Sequence, residues 1–135
     1  MITNNQVHII DFPKILDERG NLSFFENEAQ IPFTIKRTYW IYDVPGGKSR
    51  GSHAFKTQAE VIVALSGSFD ITIDTGKEEK VIQLNRSYYG LFIPPMTWRH
   101  IKNFSTNSLA LIVNSGFYDV EDYIRDFSNF KAMTQ

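Results

Sequence analysis

The sequence predicts an all-β fold, a sandwich or small barrel of short strands closed by one short C-terminal helix. Three observations point there. Aromatic residues make up 14% of the chain, with 11 Phe and 6 Tyr, and they sit beside β-branched neighbours, the composition of pleated, half-buried surfaces. These runs recur with turn residues between them, the spacing of antiparallel architectures. Only the last stretch changes its hydrophobic period.

Taken in order, VHIIDF, NLSFFEN, FTIKRTYWIYDV, EVIVALSGSFDITID, KVIQL, YGLFIP, WRHIKNF and SLALIVN read as strands, and ERG, VPGG, DTG, NRS, PPMT and STN separate them. DTGKEE is a hairpin signal in which Gly76 supplies positive φ. In the tail, YDVEDYIRDFSNF, Asp119 is placed to cap a helix and Asp122 falls in its first turn. Tyr123, Phe127 and Phe130 follow at helical spacing.

The chain's 135 residues suit one domain, residues 1–135, large enough to bury a core without staples. Fourteen Lys and Arg stand against fifteen Asp and Glu, so no global field recruits nucleic acid or an anionic membrane. An anionic ligand must be held by a local cluster. With no cysteine, disulfides, thiolate metal sites and cysteine nucleophiles are excluded together. No basic start leads into a long apolar run, and no run approaches the ~18 residues of a membrane helix. The expectation is a soluble, cytoplasmic protein.

The stretch GKSRGSHAFKTQAEVIVALSG carries the chemistry. Gly47, five residues, His53, one residue, Phe55, four residues, Glu60, six residues and Gly67 follow the first motif of the cupin superfamily, G(X)5HXH(X)3,4E(X)6G, with phenylalanine at the second histidine. Residues two apart on a strand share a face, so positions 53 and 55 point inward together and the returning strand brings Glu60 opposite them. In a metal-binding cupin these groups converge on a divalent ion. The second motif, PXG(X)2H(X)3N, lies on PPMTWRHIKN: Pro94 and Asn103 match, Met96 replaces the glycine, and Arg99 fills the histidine slot. His100 is one step away and faces outward if Arg99 faces in. A guanidinium offers a metal no lone pair, so no metal and no cofactor are expected. The site suits an anion or a developing oxyanion.

RGSHAFKTQAEVIVALSGSF, PPMTWRHIKNFS and FYDVEDYIRDFSNF together resemble the small cupin sugar 3,4-ketoisomerases, and LDERGNLSFFE and IPFTIKRTYWIYDVP extend the likeness over nearly the whole chain. The resemblance implies a cupin, or jelly-roll, β-barrel of two antiparallel sheets with one short C-terminal helix. It further implies a metal-free homodimer acting on dTDP-4-keto-6-deoxyglucose in bacterial deoxy-aminosugar biosynthesis. The many aromatics, more than a small barrel readily hides, agree with a dimer. Family members usually carry HAHK where this chain has His53-Ala54-Phe55-Lys56.

Moving a ketone from C4 to C3 needs a base at C3, an enediol, and a proton returned at C4. His53 is the candidate base, and Arg99 or Lys56 the candidate partner of the oxyanion. Glu60 is placed to orient the imidazole or to carry a second proton. Phe55 and Trp98 are candidates for the pocket wall, Arg37 and Arg50 for the diphosphate, and Tyr39 for stacking on thymine. The resemblance adds Arg19, in the DERG loop. Two other readings fit the same residues: a 3,5-epimerase-like reaction, which also starts beside the C4 ketone, and a non-catalytic module that binds a nucleotide sugar. Gly47, Gly51 and Gly67 are read as turn residues.

Overall fold

Segments rich in β-branched and aromatic residues form twelve strands in the computed structural model, which describes residues 5–135. The start of the expected 1–135 domain, where the reading of the N-terminus as leaderless falls, lies outside the described residues. The strands are β1 (His8–Asp11), β2 (Lys14–Ile15), β3 (Leu22–Ser23), β4 (Arg37–Tyr42), β5 (Arg50–Phe55), β6 (Glu60–Ser66), β7 (Phe69–Asp74), β8 (Glu79–Leu84), β9 (Tyr89–Ile93), β10 (Trp98–Lys102), β11 (Leu109–Asn114) and β12 (Tyr123–Ile124). A 3₁₀ turn, Val120–Asp122, precedes β12, and helix α1 spans Phe127–Met133.

Two five-stranded sheets result, ordered β1-β9-β6-β11-β4 and β12-β5-β10-β7-β8, with β2 and β3 forming a small third. All their pairings are antiparallel. Among the described residues the two large sheets share no hydrogen-bonded strand pair, so they form a jelly-roll sandwich rather than a continuous ring of strands. Ile62, Leu91 and Ile112 from one sheet and Phe69, Ile71 and Ile101 from the other are fully buried between them. At about 1.5–3 kcal/mol for each such side chain, this layer dominates stability. The outer face of the first sheet is covered by Phe12, Ile31 and Phe33, which pack on Val61, Val63 and Phe92. Phe130 of α1 covers Ala54 and Trp98 on the second.

Three expectations change. NLSFFEN forms a strand only at Leu22–Ser23. EVIVALSGSFDITID is two strands, because Gly67 at φ 69° turns the chain beside Ser108. The tail is not one helix: Asp119 caps only the 3₁₀ turn, Tyr123 pairs with Phe55 in β12, and α1 starts later under an Asp126 cap. Strand pairing to β5, a long-range contact, overrides the local helical spacing.

Candidate active site

A bulge in β5 shapes the site. His53 faces Arg99 and Arg50 faces Ile101, so β5 uses one more residue than β10 over the same span. Gly51 lies in the bulge at φ 72°, a conformation costly for residues with a Cβ. A Cβ there would collide with Nη1 of Arg99, which donates to the Gly51 carbonyl at 2.8 Å. Gly51 therefore serves close approach rather than a chain reversal.

Arg99 is 1% exposed. Its Nε donates to Glu60 Oε1 at 2.7 Å and its Nη2 to the Tyr39 hydroxyl at 2.9 Å. With Gly51, three of the five guanidinium N–H groups are engaged and two are left for an incoming oxygen. Burial works against the charge, but Glu60 and Tyr39 more than offset it and hold the guanidinium pKa above its usual value. Burial, and then the Glu60 carboxylate, push the Tyr39 phenol well up. It stays protonated, and because its oxygen already accepts from Arg99, its own proton is available to donate.

His53 stands across from Arg99 on the neighbouring strand. Its ring lies edge-on to Phe55 at 4.8 Å and to Tyr123 at 5.0 Å between centroids. Its Nε2 is buried without a hydrogen-bond partner. Burial, followed by Arg99, Arg125 and Arg37, pushes the imidazole pKa down from 6.5 to about 2. His53 is thus a neutral base at any ordinary pH.

This shift has a measurable consequence. Below pH 6.5 the unfolded chain binds a proton at this histidine that the folded chain refuses until about pH 2, so acid favours unfolding and stability rises with pH across that window. At pH 5 the effect amounts to about 2 kcal/mol. Urea midpoints at pH 7 and pH 5 should differ accordingly in the wild type, and the difference should shrink in His53→Phe. An undiminished acid slope in that variant would assign it to another group.

A cavity of ≈ 260 Å³ opens in front of these groups, lined by Tyr39, Arg50, His53, Arg99, Tyr123 and Arg125 among others. Tyr123 and Arg125 are two apart at the end of β12, and the Arg125 guanidinium lies 4.2 Å from the Tyr123 ring. Behind them Arg37 donates from Nη1 to the Tyr123 hydroxyl at 3.1 Å and from Nη2 to Gln58 Oε1 at 3.4 Å. Buried Asn114 donates to the same Gln58 oxygen at 3.0 Å. Asp122, also buried, accepts from the Thr57 hydroxyl at 2.7 Å and the Gln58 amide at 3.1 Å. That bond pins the β5–β6 connection to β12. The arrangement is a base beside fixed cations, suited to an anionic ligand with an acidic C–H.

Of the residues singled out from sequence, the structure brings His53, Arg99, Tyr39 and Arg50 to the cavity, with Phe55 and Arg37 packed behind it. Glu60 begins a strand of the opposite sheet and grips Arg99; among the described residues no hydrogen bond joins it to His53. Trp98 is not brought there. It packs against Phe127 and Phe130 on the outer face. Lys56 lines a neighbouring depression, on the other side of Tyr123 and Arg125, and Arg19 is exposed and paired with Asp17 at 2.7 Å. His100 faces outward beside Thr72 and Glu79. Tyr123, Arg125 and Gln58 were missed. The alternation Tyr-Ile-Arg, with buried Ile124 between two cavity residues, is the signal that identifies the first two.

Comparison with known proteins identifies the family. Residues 5–135 match the model of the FdtA family, described as WxcM-like, C-terminal. The chain belongs to this family. A TDP-4-oxo-6-deoxy-alpha-D-glucose-3,4-oxoisomerase of Aneurinibacillus thermoaerophilus is 40% identical over 123 residues, 91% of this chain and 88% of that protein. A 3,4-ketoisomerase from Helicobacter canadensis superposes with TM-score 0.92 at 40% identity, covering 97% of this chain and 98% of that one. QdtA, a sugar 3,4-ketoisomerase from Thermoanaerobacterium thermosaccharolyticum solved in complex with TDP, gives 0.93 at 36% identity, over 98% and 96% of the two chains. Among the described residues of this FdtA-family chain, no helix is long and apolar enough to cross a membrane.

Proposed function

We propose that this chain is a sugar nucleotide 3,4-ketoisomerase that moves the ketone of dTDP-4-keto-6-deoxyglucose from C4 to C3 through an enediol. The observation that carries this reading is the pairing, across one cavity, of a neutral buried histidine with an arginine whose free N–H groups are held in place. His53 takes the C3 proton on its imidazole. The C–H electron pair becomes the C3=C4 bond, and the carbonyl pair moves to O4, where Arg99 and the Tyr39 phenol meet the growing charge. The imidazolium then returns its proton to C4, where the C3=C4 pair forms the new C–H bond, as the O3–H pair becomes the C3 carbonyl and the O3 proton passes to O4.

Arg50 and Arg125, at the cavity wall, suit the diphosphate. A bound dianion would also offset the three arginines that depress the His53 pKa, so the substrate raises the basicity of its own base. Phe55, behind the cavity, packs on the imidazole and holds its ring. The chemistry needs no metal: Phe55 and Arg99 occupy two of the four ligand positions of a metal cupin.

Incubation with the 4-keto nucleotide sugar in deuterated water, with a chelator present, tests all of this. A 3-keto product carrying deuterium is expected. Binding without exchange would instead favour a module that holds the nucleotide sugar, and activity lost on chelation would overturn the metal-free reading.

We further propose a single-domain, cytoplasmic homodimer. The absence of cysteine suits a reducing compartment, and cell fractionation checks that placement. Trp40 and Tyr42 on edge strand β4 are 57% and 61% exposed, and Leu65 is 43% exposed. Trp40 pairs with Leu111, which packs on the outer cluster of the first sheet, so an apolar face continues to the sheet edge. Light scattering at micromolar concentration should give twice the 15.6 kDa chain mass, and Trp40→Glu should lower it. A wild-type monomer would remove the dimer.

A further inference from the structure

We infer that Tyr123 carries the oxygen-bound proton of the isomerisation, the work that Phe55 cannot do. This inference rests on the ketoisomerase reading above.

Base-catalysed movement of a ketone transfers two protons. One leaves C3 and arrives at C4, and His53 suffices for it. The other leaves O3 and arrives at O4, and it needs a group that can donate and accept near both oxygens. A phenyl ring has no such atom. Tyr123 is the cross-strand partner of Phe55; its ring lies 4.7 Å from the phenyl and 5.0 Å from the imidazole, and it lines the same cavity as His53 and Arg99. A residue that carries a hydroxyl therefore lines the cavity beside the position where the phenyl brings none.

That hydroxyl is prepared for the task. Arg37 Nη1 donates to it at 3.1 Å, so the phenolic proton is not spent in this bond and the guanidinium is in place to hold a phenolate. Arg37 is in turn held by Gln58, which Asn114 and the Phe117 carbonyl fix. As the C4=O pair moves to O4, Tyr123 gives O4 its proton and becomes a phenolate beside Arg37. As the C3 carbonyl forms, the proton of O3 passes to the phenolate. Tyr123 ends as it began, and no other reactant is consumed.

Tyr123→Phe keeps the ring contacts and removes only the hydroxyl. In deuterated water with dTDP-4-keto-6-deoxyglucose, it should retain exchange at C3 within about fivefold, while net formation of the 3-keto sugar falls by roughly a hundredfold or more. TDP affinity should stay unchanged. Adding Phe55→His should recover part of the lost isomerisation. Replacing Tyr123 by a fluorotyrosine, whose phenol is more acidic, should move the basic limb of the kcat profile to lower pH, a shift that a packing role would not cause. Net isomerisation within about threefold of wild type in Tyr123→Phe overturns the inference, as does a loss of exchange, isomerisation and TDP binding in equal measure. Should that variant fail to fold, an unmoved pH limb in the fluorotyrosine protein overturns it. A wild-type chain that neither exchanges nor isomerises brings down the ketoisomerase reading, and this one with it.

Discussion

His53→Asn should lower turnover by about two to four orders of magnitude, the usual worth of a positioned acid–base group, with TDP binding little changed. Asparagine is polar and smaller than the imidazole but has no basic nitrogen. The arginines that suit the diphosphate, Arg50 in β5 and Arg125 after β12, do not hydrogen-bond to His53. The loss should fall on the chemical step, visible as a collapse of C3–H exchange in deuterated water. Near-normal exchange in the variant would place the base elsewhere. Glu60 would be next, because its Oε2 is buried without a partner.

The largest effect on stability is expected at the other end of the site. Glu60→Leu should destabilise the fold by about 3–5 kcal/mol, because Arg99 is left buried without its counter-charge. For a domain of this size that is a large share of the roughly 5–15 kcal/mol available, and a fall in Tm of about 10–20 °C should follow. The Arg99–Glu60 pair is 1% exposed on both sides, so screening by solvent does little to soften the loss. Replacing both residues by leucine should restore most of the stability and leave the protein without activity. Thermal and urea melts of the three proteins check this. A single variant melting within 2 °C of wild type would show that water reaches the guanidinium.

The spacing from Gly47 to Gly67 makes His53 and Glu60 legible as inward-facing residues, because a strand's period of two constrains which residues share a face. The same rule placed Arg99 inward and His100 outward. Applied one residue further back it also sends Trp98 outward, and the structure does so. What local pattern does not carry is pairing across the chain. Asp122 accepts from Thr57, 65 residues away, and that link, with the pairing of Tyr123 to Phe55, turns an apparent helix start into a wall of the cavity. Glu60 shows the same limit: its spacing from His53 was legible, but its partner, Arg99, comes from a distant strand.

The bulge at Gly51 bears on how such a site can change over generations. Gly51 and Arg99 are 48 positions apart, yet the guanidinium lies where any side chain at 51 would begin. A residue larger than glycine evicts the arginine, and a short residue at 99 strands Glu60 and opens a void behind the bulge. Reaching the metal-binding pattern would require histidines at both 55 and 99. The step at 99 breaks the buried ion pair before any metal can repay the loss. The arginine-centred and metal-centred forms of this scaffold are therefore two valleys with a ridge between them, and single substitutions lead uphill from this one.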